Sequence, residues 1–367
     1  MSRAVIIAAR RSLVAPRGGA LAHLHLHEIA APVIQACLTD AGLVPDSVDE
    51  LIMGNALGAG GNPARVAALA AGLPLRVAGL SIDRQCCSGL DTLRLAQAMI
   101  EAGQAEVVIA GGAESYSRRP IRMTAAQGGA PAQEYDQPPF TPWPDRDPDM
   151  AGAADALARH LGISRAAQDA WTVDSHARAI AARADLSAEI VGDAPDSYTR
   201  AMTPALCARA RANCGSVTRA NTAVAADAAA FCVLVSEKYA RRRGLPYVTI
   251  LGGMALGGDP MLPGLAPVAA INATLAALSL SPADLSTAEI MEAFAVQAIA
   301  CVEQTGLDPA TVNRKGGALA RGHPIGASGA ILAVRLFHDL RGTGGRGLAA
   351  IAAAGGIGTA LVLGGEG

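Results

Sequence analysis

The sequence predicts an α/β protein built from two similar halves around a mostly parallel sheet. Three observations carry that prediction. Short apolar runs of strand length alternate with longer stretches whose apolar residues recur at helical spacing, the order that builds βαβ units. A pattern of Ser-Gly, helix, strand and Ala-Gly-Gly occurs twice, from Ser88-Gly89 to Ala110-Gly111-Gly112 and from Ser328-Gly329 to Ala354-Gly355-Gly356, which reads as a duplication. Finally, 51% of the residues are hydrophobic but only 3% aromatic, with 41 glycines, so the elements are expected to pack closely through small side chains and to turn on glycine.

Taken in order, Ala4 to Ala9 is a continuous apolar run and reads as a strand buried on both faces. A helix is predicted from Glu28 to Ala41 with Gly42 as its stop. Leu51 to Gly54 is a short strand leading into the glycine-rich loop GNALGAGGNPAR. From Ser88 to Ala102 the residues Leu90, Leu93, Ala96 and Ile100 share one helical face. A strand follows over Glu106 to Ala110 and ends at a predicted turn, Gly111-Gly112. Residues 118–150 are rich in Pro, Asp and Arg and read as an irregular excursion. Helices resume over 151–184, with Ser164 as an N-cap. After an irregular stretch over 185–217, apolar alternation returns in AAAFCVLVSEKYA, and a second α/β unit occupies 243–367.

Composition excludes several classes. A disordered chain would not carry this much apolar surface. The net charge of −2 argues against a binder of nucleic acid or anionic membrane, which needs a basic face. The uncharged stretch from Met261 to Ala283 is broken by Pro263, Pro267 and Pro282, so it is not an unbroken membrane helix. The opening MSRAVIIAARRS has too short an apolar run for a signal peptide, and a cytoplasmic location is expected. Seven cysteines without a Cys-x-x-Cys pair give neither a zinc ribbon nor a thioredoxin motif. On a strand, His23, His25 and His27 would share a face and could bind zinc or copper. No carboxylate or cysteine set accompanies them, so they read as surface or loop histidines and no metal is expected.

The chemistry concentrates at two places. Arg84-Gln85-Cys86-Cys87-Ser88-Gly89-Leu90 sets a thiol just before a predicted helix, where free backbone N–H groups are expected to lower its pKa and favour the thiolate. Arg321-Gly322-His323-Pro324-Ile325-Gly326 sets an imidazole before the matching helix of the second half. A thiol and an imidazole at equivalent ends of two pseudo-symmetric halves can meet at the interface between them and activate a nucleophile for acyl transfer.

With these motifs in hand, the sequence resembles the thiolase family. The resemblance runs nearly end to end through GNALGAGGNPAR, RQCCSGL, AGGAESYS, LGISRAAQDAWTVDSHARA, GSVTRANTAVAADAAA, EIMEAFA, VNRKGGALARGHPIGASGA and AAAGGIG. It implies two duplicated βαβαβαββ halves in a layered α-β-α-β-α core with an inserted loop domain. The expected division is 1–118 with 218–242 for the first half, 119–217 for the loop domain that covers coenzyme A, and 243–367 for the second half. The resemblance further implies that Cys86 takes the acyl group as a thioester, that His323 activates it, and that the backbone N–H groups of Cys86 and Ala354 form an oxyanion hole. Acyl-CoA is then a substrate, with no permanently bound cofactor, and a homodimer or homotetramer is expected.

Two of the departures from the family pattern fall at its catalytic positions. Where the family carries a cysteine that deprotonates the acceptor's α-carbon, this chain has Ala352. Where the family's Asn-Glu-Ala-Phe motif holds a water with its asparagine, this chain has Met291, which has no such hydrogen-bonding capacity. Acylation of Cys86 needs no carbon acid, so an acyltransferase is the expected function and ordinary Claisen condensation or thiolysis is doubtful. The alternative is a non-catalytic protein that binds coenzyme A or an acyl group, or completes its site with an accessory subunit.

Overall fold

The computed structural model describes residues 3–58 and 60–366. The first half runs β1 (Ala4–Arg11), α1 (Leu26–Ala41), β2 (Glu50–Gly54), α2 (Pro63–Ala70), β3 (Leu80–Ile82), α3 (Ser88–Glu101) and β4 (Val107–Glu114). The helices α4 (Met150–Leu161) and α5 (Arg165–Ala181) follow, and β5 (Ala226–Ser236) returns to the sheet. The second half runs β6 (Val248–Gly257), α6 (Ala266–Ala277), β7 (Thr287–Ile290), α7 (Ala295–Thr305), the short α8 (Ala318–Arg321), α9 (Ile325–Leu340), β8 (Arg346–Ala353) and β9 (Ile357–Gly365).

The duplication is visible in the strand order. The first half orders its strands β3-β2-β4-β5-β1, with β3, β2 and β4 parallel and β5 antiparallel to both β4 and β1. The second half orders β7-β8-β9-β6 with the same directions, and the place of β3 is taken by a single parallel bridge between Ala288 and Val312. The halves join edge to edge through Val5–Thr249 and Ile6–Val248.

Three apolar clusters define five layers. One packs α1 and α2 on the first half-sheet, one packs α6 and α7 on the second, and the central cluster holds α3 and α9 between them. The predicted face of α3 is confirmed, since Leu90, Leu93, Ala96 and Ile100 are all buried there. Removing a leucine-sized side chain from water contributes about 1.5–3 kcal/mol. Helix ends follow their local chemistry. Gly42 closes α1 in the left-handed conformation at φ 61°, and Ser164 Oγ accepts from Ala167 N–H at the start of α5.

Five expectations are corrected. The sheet is mixed rather than mostly parallel, because β5 and β9 run antiparallel to both of their neighbours and β1 pairs antiparallel with β6. Gly111-Gly112 is no turn but the middle of β4, because a Cβ at Gly111 would strike Ala230 O at 2.0 Å and one at Gly112 would strike Gly326 O at 1.9 Å. Ala354-Gly355-Gly356 is a true turn between β8 and β9, so the two Ala-Gly-Gly triplets are not equivalent positions. Ser328-Gly329 does not open its helix, since α9 begins three residues earlier at Ile325. The segment AAAFCVLVSEKYA does not alternate: β5 is buried along its whole length, between layers, and the chain then turns into a helix at Glu237.

Among the described residues no helix is long and apolar enough to cross a membrane. The three histidines share no strand: His23 lies in a turn, His25 precedes α1 and His27 lies within it.

Candidate active site

The two central helices meet backbone to backbone. A Cβ on Gly89 would lie 2.7 Å from Gly326 O and 2.8 Å from Ala330 N, and one on Gly329 would lie 2.5 Å from Leu90 N. No side chain fits in that crossing. Each helix begins just after its reactive residue, with Cys86 before α3 and His323 before α9, so the crossing fixes the two together.

His323 Nε2 stands 3.2 Å from Cys86 Sγ. The other ring nitrogen, Nδ1, stands 2.7 Å from Ser328 Oγ, one turn into α9. The Ser328 hydroxyl donates to Pro324 O at 3.0 Å, which leaves its oxygen to accept from Nδ1–H. That assignment places the lone pair of the neutral imidazole on Nε2, facing the thiol.

Burial decides the charge state. It pushes the Cys86 thiol up to about 12, outweighing the backbone N–H contribution at the helix start, with Glu114 and Asp83 adding to the rise. It also pushes His323 down to about 4, helped by the neighbouring Arg321. The expectation of a resting thiolate is therefore corrected. Burial thus favours the neutral thiol and the neutral imidazole in the pair.

Two buried carboxylates hold the segments around the pair. Glu114 accepts from Ala56 N–H, Asn55 Nδ2 and Gly326 N–H, tying the end of β4 to the first turn of α9. Glu292 accepts from Trp171 Nε1, Ser175 Oγ, Asn313 Nδ2 and Leu319 N–H, which ties α5 to the turn that leads to His323. These networks are satisfied and directional, so they fix geometry rather than supply a base.

Cys86 and His323 open into a cavity of about 270 Å³ that Ala352 and Ala354 also line. Its walls include Phe140, Met150, Leu157 and Phe294, so it is largely apolar. Met291 is absent from this wall. Its side chain packs in the central core, and its backbone N–H donates to Ala350 O. Cys87 is fully buried behind Cys86, with Sγ 3.5 Å from Ile351 O. Ser328, beside the His323 ring, and Tyr116, on the cavity wall, are among the residues of this site that the sequence did not single out. The signal for Ser328 is its spacing, five residues after a histidine that precedes a helix, which returns a hydroxyl to the ring.

The duplicated fold and the thiol–imidazole pair define a thiolase-type α/β protein. Residues 4–238 match the thiolase N-terminal domain and residues 245–364 match the thiolase C-terminal domain. The chain belongs to the thiolase family. It is 38% identical to the acetyl-CoA acetyltransferase of Cupriavidus necator over 99% of both chains. Its fold is similar to the crystal structure of the Bacillus anthracis acetyl-CoA acetyltransferase, with a TM-score of 0.92 and 35% identity over 100% of this chain and 99% of the other. It is equally similar in fold, with a TM-score of 0.92 and 27% identity, to the Acat5 thiolase from Ascaris suum in complex with coenzyme A, covering 99% of this chain and 100% of that one.

Proposed function

We propose that the protein is an acyltransferase that takes an acyl group from acyl-CoA onto Cys86. The observation that carries this reading is the 3.2 Å approach of His323 Nε2 to Cys86 Sγ at the end of an apolar cavity. In the proposed step the Cys86 S–H proton passes to His323 Nε2 as sulfur attacks the thioester carbonyl. The tetrahedral oxyanion is held by the backbone N–H groups of Cys86 and Ala354. Its collapse breaks the carbon–sulfur bond to coenzyme A, and the departing thiolate takes the proton back from His323. Atoms and charge balance without any bound cofactor, and coenzyme A acts as substrate and product only. Residues 119–217 are proposed as the cover over coenzyme A, since α4 supplies Met150 and Leu157 to the cavity wall.

Carbon–carbon bond formation is a separate matter. It needs a base for the acceptor's α-carbon, and position 352 carries a methyl group. Loss of a positioned base costs about 10²–10⁴-fold. We therefore propose thioester exchange, acyl transfer or hydrolysis as the main reaction, with condensation and thiolysis reduced. The same two departures favour the second reading, a coenzyme A- or acyl-binding protein without turnover. A homodimer or homotetramer in the cytoplasm completes the proposal. Its support is β3, an edge strand with one open side on which Leu80 is 43% exposed.

The test is intact-protein mass measurement after incubation with acetyl-, butyryl- and octanoyl-CoA, with Cys86→Ser as control. A mass increase equal to the acyl group, absent in the control, is expected. No Cys86-dependent adduct from any donor would overturn the acyltransferase and leave the binder. Adding coenzyme A with a 3-ketoacyl-CoA then measures thiolysis, which is expected to be slow.

A further inference from the structure

The backbone N–H groups of Cys86 and Ala354 are the donors already proposed for the oxyanion on the acyl carbonyl, and a fixed side-chain donor in the cavity wall would add to them. The cavity around Cys86 contains four polar side chains besides His323. Thr222 Oγ1 already donates to Thr218 O, and Gln297 Nε2 commits one of its two N–H groups to Cys301 Sγ. Tyr116 and Gln85 line the same cavity, and neither the Tyr116 hydroxyl nor the Gln85 amide has a hydrogen-bond partner among the described residues.

These two free donors differ in how firmly they are held. Gln85 carries a flexible side chain that would have to be ordered at each turnover. Tyr116 sits two residues beyond the end of β4. Asp227, fully buried on β5, accepts from the next residue's backbone N–H, Ser117, at 3.0 Å and from its hydroxyl at 2.5 Å. Arg119 lies against the Tyr116 ring, its guanidinium carbon 5.8 Å from the centroid, and is itself held by Asp136 at 2.6 Å. A donor fixed before the reaction stabilises developing charge without reorganising, which is where most of the benefit of such a contact arises.

We propose that the Tyr116 hydroxyl donates a hydrogen bond to the carbonyl oxygen of the acyl thioester as Cys86 attacks it, making Tyr116 a further catalytic residue. The inference rests on the acyltransferase reading above. No proton is transferred to or from Tyr116: the hydrogen bond tightens as the carbonyl becomes an oxyanion and relaxes when the thioester re-forms. Burial, together with Cys86 and Glu114 nearby, raises the phenol well above its ordinary value, so it stays protonated. It is thus a donor and not a base, and it does not replace the missing proton acceptor at Ala352. A tyrosine in this role supports acyl transfer without restoring condensation.

The experiment compares wild type, Tyr116→Phe and Gln85→Leu as full chains, using whichever of acetyl-, butyryl- and octanoyl-CoA labels wild-type Cys86 fastest. The rate of acyl-Cys86 formation is followed by mass against donor concentration, with iodoacetamide labelling of Cys86 run in parallel. Tyr116→Phe is expected to lower the saturating acylation rate by about 10²-fold. The half-saturating concentration and iodoacetamide labelling are expected to stay within about twofold, since alkylation builds no oxyanion on the carbonyl. An unchanged acylation rate overturns the proposal, as does a loss confined to half-saturation. A parallel fall in alkylation also overturns it, by placing the effect on the thiol. A loss in Gln85→Leu with none in Tyr116→Phe assigns the donor to Gln85 and overturns it too. Absence of any wild-type adduct overturns the acyltransferase itself, an outcome distinct from all of these.

Discussion

Cys86 and His323 are separated by 237 positions in the chain, yet Sγ and Nε2 lie 3.2 Å apart. Both are set at helix starts, and both are driven toward their neutral forms by burial, the thiol up to about 12 and the imidazole down to about 4. The site is therefore a proton-transfer pair at rest rather than an ion pair. That distinction separates it from cysteine sites in which the thiolate pre-exists.

The first prediction follows from the sign of these shifts. A thiol raised to about 12 remains protonated below that pH, and an imidazole lowered to about 4 remains unprotonated above it. The small thiolate fraction of Cys86 then grows in proportion to hydroxide across the neutral range. Iodoacetamide labelling of Cys86, read by peptide mass, is expected to rise about tenfold per pH unit from pH 7 to 9.5. A plateau already reached at pH 7 would mean a resting thiolate and contradict this reading.

Ser328 fixes which nitrogen of His323 carries the proton. Ser328→Ala removes the acceptor 2.7 Å from Nδ1 and lets the ring turn or change tautomer. At metal sites, loss of the outer contact that orients a histidine costs about 10–100-fold, and the same orienting role sets the scale here. The expected result is a fall of that size in the saturating rate of Cys86 acylation, with donor half-saturation unchanged. Partial recovery in Ser328→Thr, which keeps the hydroxyl, would separate orientation from packing. Acylation at the wild-type rate in Ser328→Ala would remove Ser328 from the mechanism.

The crossing of α3 and α9 makes a steric prediction. In Gly329→Ala the new methyl would lie 2.5 Å from Leu90 N and 2.8 Å from Leu90 Cβ, where backbone leaves little room to shift. Overpacking of this kind costs about 1–3 kcal/mol. Thermal unfolding should occur at a lower temperature, and acylation should fall because the helices that carry Cys86 and His323 are forced apart. Ala327→Gly, on the same helix, removes a buried methyl without a clash at a cost of about 1 kcal/mol, so the loss in Gly329→Ala beyond that reports the clash. A Gly329→Ala protein with unchanged Tm and acylation would show that the close approach is not needed.

Much of this site was legible in the sequence because motif and local structure agree. Cys86 and His323 each precede a helix, and the repeat placed the two helices in matching positions. The family pattern then supplied the five-layer order that the strands display. What was not legible depends on contacts between distant segments. Gly111-Gly112 reads as a turn by composition, but the glycines are there because Ala230 and Gly326 press on that stretch of β4. The charge state of Cys86 was misjudged because the helix start is a local feature, whereas burial is a property of the assembled halves. Tyr116 gave no signal of its own, since only the course of the chain after β4 turns it toward the cavity.

The final prediction concerns the missing base. Ala352 lines the cavity with Cys86 and His323, whereas Met291 packs in the core beside it. Wild type is expected to acylate Cys86 yet exchange the α-protons of acetyl-CoA with deuterium no faster than the Cys86→Ser control. Ala352→Cys returns a thiol to the position from which the family removes that proton, and should raise exchange measurably above the control. Adding Met291→Asn restores the amide with which the family holds a water for the enolate oxygen, so the double variant should exceed the single one. A positioned base and an oxyanion contact contribute about 10²–10⁴-fold and about 10²–10³-fold respectively, so the gains are large enough to measure by proton NMR. The buried asparagine must find partners, and its unfolding temperature should be followed alongside. If wild type already exchanges and condenses at the level of the double variant, another group in the cavity is the base, and Ala352 does not limit the reaction.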